Sequence, residues 1–214
     1  MVKKFLASLI FSVFFYLYAG VTHACSFNFP PLKGSNAVGT VAYHLIDKNR
    51  QETHAHDLNH PYRELMIQIW YPSQESKSQF PTASYDADVT QLIRQRYGFS
   101  GYGAGYIRTY AKHNALLSNT HACYPVVIIS HGVSAMRTNH TAQAEELASH
   151  GYIVVSIGHT YASAITTFPD GRTVWGTVQN QDLQTKEGCD RELSIRIADI
   201  QFVDRKSTRL NSSH

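Results

Sequence analysis

Hydrophobic and polar positions divide the chain into short runs of different period. Val38–Ile46 (VGTVAYHLI) is rich in β-branched and aromatic residues and predicts a strand. Glu64–Tyr71 alternates Leu65, Ile67 and Ile69 against Met66, Gln68 and Trp70, and Pro72 ends it, which predicts a second strand. The polar stretch Asp47–Arg63 then joins an antiparallel pair. Residues 73–86 are polar and read as a loop. Asp88–Tyr97 predicts a short helix through Val89, Leu92 and Ile93. Gly98–Tyr106, rich in Gly and Tyr, predicts a loop, and Ile107–Leu117 a helix.

The strongest local pattern follows. Tyr124–Ser130 (YPVVIIS) is a continuous apolar run, as expected of a parallel strand covered on both faces. Asn139–His150 predicts a helix with Ala142, Leu147 and Ala148 apolar, and Gly151 suits its C-terminal cap. Tyr152–Ile157 is a second buried strand, so the three segments form a βαβ unit with a right-handed crossover. Pro169-Asp170-Gly171 is a turn between Thr166–Phe168 and Thr173–Trp175, predicting a small hairpin. Arg191–Val203 is an amphipathic helix whose expected apolar stripe is Leu193, Ile197 and Ile200. The Glu145-Glu146 pair is expected on a solvated helix face. The predicted fold class is α/β, a doubly wound parallel sheet with an antiparallel pair at its start.

Composition changes this picture mainly at the two ends. Met1–Ala24 has a positive start (Lys3, Lys4), a short apolar stretch (Phe5–Tyr18) and a small residue, Ala24, before the expected cut. It predicts a signal peptide and a secreted or periplasmic protein; a lipid anchor on Cys25 is the alternative, with Thr22-His23-Ala24 a poor match to that signal. The three cysteines Cys25, Cys123 and Cys189 cannot all pair within one chain. The last eleven residues, Asp204–His214, can be encoded by a common short-read sequencing adapter, so an artefactual tail is expected there, with residues 25–203 an incomplete domain. The formal charge of the whole chain is +3, but residues 25–203 hold 14 basic and 15 acidic side chains. The apparent basicity therefore argues for no nucleic-acid partner. No run reaches the ~20 apolar residues of a membrane span, and no nucleotide-binding glycine motif follows a strand. No cofactor is implied, and the oligomeric state is unknown from the sequence.

The segments YPVVIISHG and LASHGYIVVSIGH, with REL…IQIWYP upstream and RELSIRIADIQFV downstream, resemble the α/β-hydrolase fold. More narrowly they resemble its platelet-activating-factor acetylhydrolase and dienelactone-hydrolase-like branch, over most of residues 38–203. The resemblance implies an ester hydrolase working through an acyl-enzyme on a small ester or lipid-like substrate. It also implies that the loop after the apolar strand, His131-Gly132-Val133, supplies one backbone N–H of the oxyanion hole, from Val133. Gly158-His159-Thr160-Tyr161 departs from the His-Arg-Asp that acetylhydrolase relatives often carry there.

Such enzymes carry their serine on a G-x-S-x-G elbow. None of the 13 glycines opens one. Two segments come near: Gly98-Phe99-Ser100-Gly101-Tyr102, with no buried strand before it, and Gly132-Val133-Ser134-Ala135-Met136, which follows a strand but places Met136 where a small residue is needed. Ser134 is thus a poor candidate nucleophile, and the expected location of serine, acid and histidine is beyond Val203, leaving this chain inactive alone. The tyrosines Tyr97, Tyr102, Tyr106 and Tyr110 suit either an acyl pocket or ordinary packing. His54, His56 and His60 form the densest histidine cluster, a weak metal candidate against a solvated loop. Two other readings accompany the hydrolase: a non-catalytic binding protein on the same fold, and a periplasmic metal-binding protein using those histidines.

Overall fold

The computed structural model describes residues 28–55, 57–74, 82–85 and 107–211. Strands β1 (Ala37–Gln51) and β2 (Tyr62–Ser73) form a long antiparallel pair. β3 (Thr82–Ser84), β4 (Arg108–His113), β5 (Val126–Ser130) and β6 (Ile153–Gly158) complete one sheet in the order β3-β4-β1-β2-β6-β5. β5 and β6 run parallel, with α1 (Thr141–Ser149) between them in the chain. β7 (Ile165–Thr167) and β8 (Thr173–Trp175) form a separate hairpin around Pro169-Asp170-Gly171, as the turn residues predicted. A short 3₁₀ turn, Asn180–Leu183, leads into the long helix α2 (Lys186–Asn211). The α/β class stands.

The alternation read in β2 decides which helix packs where. Leu65, Ile67, Ile69 and Tyr71 meet Val155, Ile157 and the α2 residues Phe202 and Val203 on one face. Trp70 meets Val38, Ala111, Val154 and the α1 residues Ala144 and Ala148 on the other. Both faces of the sheet are thus covered, and the strand's two side-chain rows serve two cores.

Several expectations fail for identifiable reasons. Ile107–Leu117 is no helix: β4 occupies Arg108–His113, where Thr109 and Ala111 point inward while Tyr110 is partly exposed, a period of two. Pairing with β1 (Gly39↔Lys112) and β3 overrides its local propensity. The loop read at 73–86 contains β3. The connection between the first two strands is shorter than Asp47–Arg63, because β1 continues to Gln51 opposite Tyr62 after a register irregularity. β5 packs on both faces, Ile128 on the α2 side and Ile129 on the α1 side, but only in part: it is the edge strand, its residues mostly half-exposed and Val126 38% exposed. The helix and loop read at Asp88–Tyr97 and Gly98–Tyr106 lie outside the described residues.

α2 corrects the sequence most. Leu193 and Ile197, the expected buried stripe, are 57% and 45% exposed. The buried face instead carries Glu192, Asp199, Phe202 and Val203, with Ile200 at its margin. Glu145 likewise leaves the expected solvated face: it is completely buried, whereas Glu146 is half-buried.

α1 ends as its glycine predicted. Gly151 has φ +94, its N–H donates to Ala148 O (3.0 Å) and the Tyr152 N–H to Leu147 O (3.2 Å), a Schellman arrangement. Gly151→Ala is expected to cost about 1–2 kcal/mol, because a Cβ is disfavoured at positive φ; a denaturant melt checks it, and an unchanged midpoint would contradict the assignment.

Candidate active site

The chemistry gathers at the C-terminal ends of the parallel strands, where α/β sheets place their ligands. β5 ends on Ser130, paired with Ile157 of β6. Beyond them run two loops, from His131 and from His159, and α2 crosses behind both.

His131 is buried. Its Nδ1 lies 2.6 Å from Gly132 O, while Nε2 lies 2.8 Å from Ser163 Oγ and accepts from the His159 N–H at 3.3 Å. This pattern puts the proton on Nδ1, donating to the Gly132 carbonyl. Burial is the main cause that pushes the His131 pKa down, to about 4, and the neighbouring His159 and Arg196 add to it. Arg196 Nη1 also donates to His131 O (2.6 Å), fastening the loop to α2. On the other side the Ser134 N–H donates to Ala162 O (2.9 Å), and Ser134 sits at φ +59. Between these two anchors the Val133 N–H has no acceptor among the described residues. Gly132 is exposed, and a Cβ there would meet nothing within 4 Å, so space in front of the loop is open.

A second motif lies immediately beneath. Ser130 Oγ is 2.8 Å from His159 Nε2, and His159 Nδ1 is 2.8 Å from Asp199 Oδ2. Serine, histidine and aspartate are therefore linked in the order of a hydrolase triad. The electrostatics argue against catalysis by it. His159 is fully buried, and although Asp199 favours its cation, burial together with Arg196 and Arg63 pushes its pKa below the ordinary value. Asp199 is also heavily shared: it accepts from Arg63 Nη2 (2.7 Å) and Nε (3.2 Å) and from Arg50 Nη2 (2.7 Å). Burial alone would raise the Asp199 carboxyl, but the His159 and Arg63 hydrogen bonds and the Arg63 charge hold it well below the carboxylate range. A His159 that took the Ser130 proton would form its imidazolium near the Arg63 and Arg196 guanidinium groups, which disfavour that charge, and its two hydrogen bonds hold Ser130 at the start of the loop.

Arg63 extends this network. It is 2% exposed and also donates from Nη1 to Glu52 Oε2 and Thr160 O, both at 3.0 Å. Burial opposes ionisation of Glu52, yet hydrogen bonds from His54 and Arg63 and the Arg63 charge bring its pKa down to about 2.

Three comparisons bear on the identity of this assembly. The family model described as platelet-activating factor acetylhydrolase, isoform II, matches residues 21–208. The chain belongs to that family. Curated relatives include the platelet-activating factor acetylhydrolases of Cavia porcellus (30% identical, 56% of this chain, 31% of theirs) and Canis lupus familiaris (30%, 63% and 32%). Among solved structures, a ferulic acid esterase from Streptomyces cinnamoneus matches with TM-score 0.68 and 30% identity, over 84% of this chain and 48% of that one. The chain thus spans about a third of these curated relatives and about half of the esterase.

Within this acetylhydrolase family member, the predicted loop His131-Gly132-Val133 lies at the strand end the sequence indicated. Ser134 is exposed in the same loop, and its hydroxyl meets no described partner. Ser100, Tyr97, Tyr102 and Tyr106 lie outside the described residues, and Tyr110 donates its hydroxyl to Phe29 O on the opposite part of the sheet. The histidine cluster does not converge. His54 lies between Glu52 (3.1 Å) and Glu192 (3.1 Å), while His60 Nδ1 bonds Glu64 (3.0 Å); His56 is outside the described residues. Among the described residues no group of three or more metal-ligating side chains comes together. Cys123 and Cys189 are both free and exposed. No helix of the described residues is long and apolar enough to cross a membrane.

Sequence reading missed Ser130, Arg63 and Asp199 as site residues. The available signal was polar spacing: Glu192, Arg196 and Asp199 recur at four and three residues along α2, a second stripe beside the apolar one.

One pH effect follows. Unfolded His131 takes up a proton below about 6.5, whereas the folded residue resists until about 4. The unfolded state binds more protons in that window, so stability falls as pH drops from 6.5 to 4, by about 3 kcal/mol at the end of it. His131→Asn is expected to flatten this part of a stability-against-pH curve; an unaltered slope would contradict the assignment.

Proposed function

We propose that the protein containing this chain is a secreted serine ester hydrolase that cleaves short-acyl or phospholipid-like esters through an acyl-enzyme. The observation that carries the reading is the Val133 N–H, without an acceptor among the described residues and held between the Arg196–His131 and Ser134–Ala162 anchors at the end of β5. Family membership and the likeness to an esterase support the reaction class.

In this reading a serine attacks the ester carbonyl as a general base takes its proton. The carbonyl π electrons move to oxygen, and the developing oxyanion accepts from Val133 N–H. Collapse expels the alcohol, reprotonated by the same base, and leaves an acyl-serine that water then hydrolyses. The 214 residues contain no G-x-S-x-G, so we place the nucleophile in a part of the protein outside them. Val133 would be the catalytic contribution of the present residues; Ser130, His159, Asp199 and Arg196 position its loop.

The test is pre-steady-state kinetics on the full-length protein with 4-nitrophenyl acetate and longer acyl esters. A burst of nitrophenol equal to the enzyme concentration is expected, with faster turnover of shorter acyl chains. Absence of hydrolysis of every ester would favour the non-catalytic binding reading instead. Secretion has its own check: the mature N-terminus should be Cys25, and a lipid mass on that residue would indicate anchoring.

A further inference from the structure

On the α1 side of the sheet, where the His131 loop runs into α1 past Thr138, a cavity of about 40 Å³ is lined by Thr40, Gln68, Trp70, Thr109, Thr141 and Glu145, among others. Glu145 is fully buried. Its Oε1 accepts from the backbone N–H groups of Tyr110 (3.0 Å) and Ala111 (2.8 Å), tying α1 to β4. Its Oε2 is buried without a hydrogen-bond partner among the described residues. Burial raises the Glu145 pKa, opposed by those two N–H groups, and no cationic side chain among the described residues compensates this carboxylate.

The walls offer oxygen. The hydroxyls of Thr40, Thr109 and Thr141 donate to Ile69 O (2.8 Å), Ala83 O (2.6 Å) and Thr138 O (2.6 Å). With their hydrogens committed, these hydroxyls have only lone pairs left to offer, and one of Thr40's is taken by Gln68 Nε2. A space of this size exceeds the ~10–15 Å³ one water needs. An ionised carboxylate left uncompensated in the interior is costly, so a positive charge beside Oε2 would offset it. Hard cations take oxygen ligands, and a single carboxylate balances a single positive charge.

We propose that this cavity is a binding site for a monovalent cation of the sodium or potassium class, with Glu145 Oε2 as its charged ligand and threonine oxygens as neutral ones. The bound ion would lock α1 onto β4 and β1 and so stabilise the sheet.

The experiment is thermal melting of the full-length protein in sodium, potassium, calcium or choline chloride at equal ionic strength. Sodium or potassium at about ten times its Kd should raise the melting temperature by about 3–6 °C over choline. Glu145→Gln keeps the Oε1 acceptor but places an amide N–H₂ in the cavity, and should abolish the difference. Thr109→Val should weaken it, raising the required concentration about tenfold. Should Glu145→Gln fail to fold, sodium-23 line broadening by the wild type, reversed by potassium and weakened in Thr109→Val, decides the matter. Equal melting in all four salts, a response to calcium alone, or an unchanged response in Glu145→Gln would overturn the proposal.

Discussion

Arg63→Met is expected to destabilise the fold by about 3–5 kcal/mol, the cost of stripping one partner from a buried ion pair. Arg63 reaches Asp199 with two nitrogens and Glu52 with a third, and all three side chains are nearly or fully removed from water. Removing the guanidinium leaves both carboxylates under-compensated, with only Arg50 and His159 still on Asp199. The effect should depend on pH in a definite direction. Glu52 folds with its pKa lowered to about 2, so it contributes stability above the ordinary carboxylate range and loses it as pH falls towards 2. The variant lacks much of that contribution, so the gap from wild type should be widest near neutral pH and narrow in acid. Adding Asp199→Leu to Arg63→Met should cost less than the two changes summed, because they share one interaction. Chemical denaturation at pH 7 and pH 3 measures all of this; a loss under 1 kcal/mol at pH 7 would show that the network is not what holds α2 to the sheet.

Val133→Pro in the full-length protein should lower kcat about 100- to 1000-fold, the typical effect of deleting one oxyanion donor. Proline removes the N–H and fixes φ in the negative range, and the preceding Gly132, exposed and unconfined, tolerates the restriction proline imposes on its neighbour. KM should change little, since the bond strengthens as charge develops on the attacked oxygen. Val133→Ala keeps the N–H and should remain within a few-fold of wild type. Activity unaffected by proline, with the fold intact by circular dichroism, would remove Val133 from the oxyanion hole.

Both experiments turn on features differently legible in the sequence. The strand pair, the βαβ unit and the hairpin were readable because each carried its own period or turn residues, and Leu65, Ile67 and Ile69 were correctly placed on one face. β4 was misread because six residues with Tyr110 and Ala111 suit helix or strand, and only pairing with β1 and β3 decides. α2 was misoriented for a deeper reason. Hydrophobic patterning assumes that a helix buries its apolar stripe, but this one buries Asp199 against Arg63 and leaves Leu193 and Ile197 at the surface. The partner of Asp199 lies 136 residues away, so its burial shows locally only as a polar stripe that hydrophobic patterning disregards. The loop at His131–Val133 is legible through a family resemblance, whereas its anchors, Arg196 and the Ser130–His159–Asp199 relay, depend on contacts between distant segments.

The relay makes the location of the nucleophile the central question, and covalent labelling answers it most directly. The full-length protein is treated with a fluorophosphonate probe, digested, and the modified serine located by mass spectrometry. The present account predicts a single adduct on a serine outside residues 1–214, with Ser130 and Ser134 unmodified. An adduct on Ser130 would contradict it and make the Ser130–His159–Asp199 relay the catalytic triad.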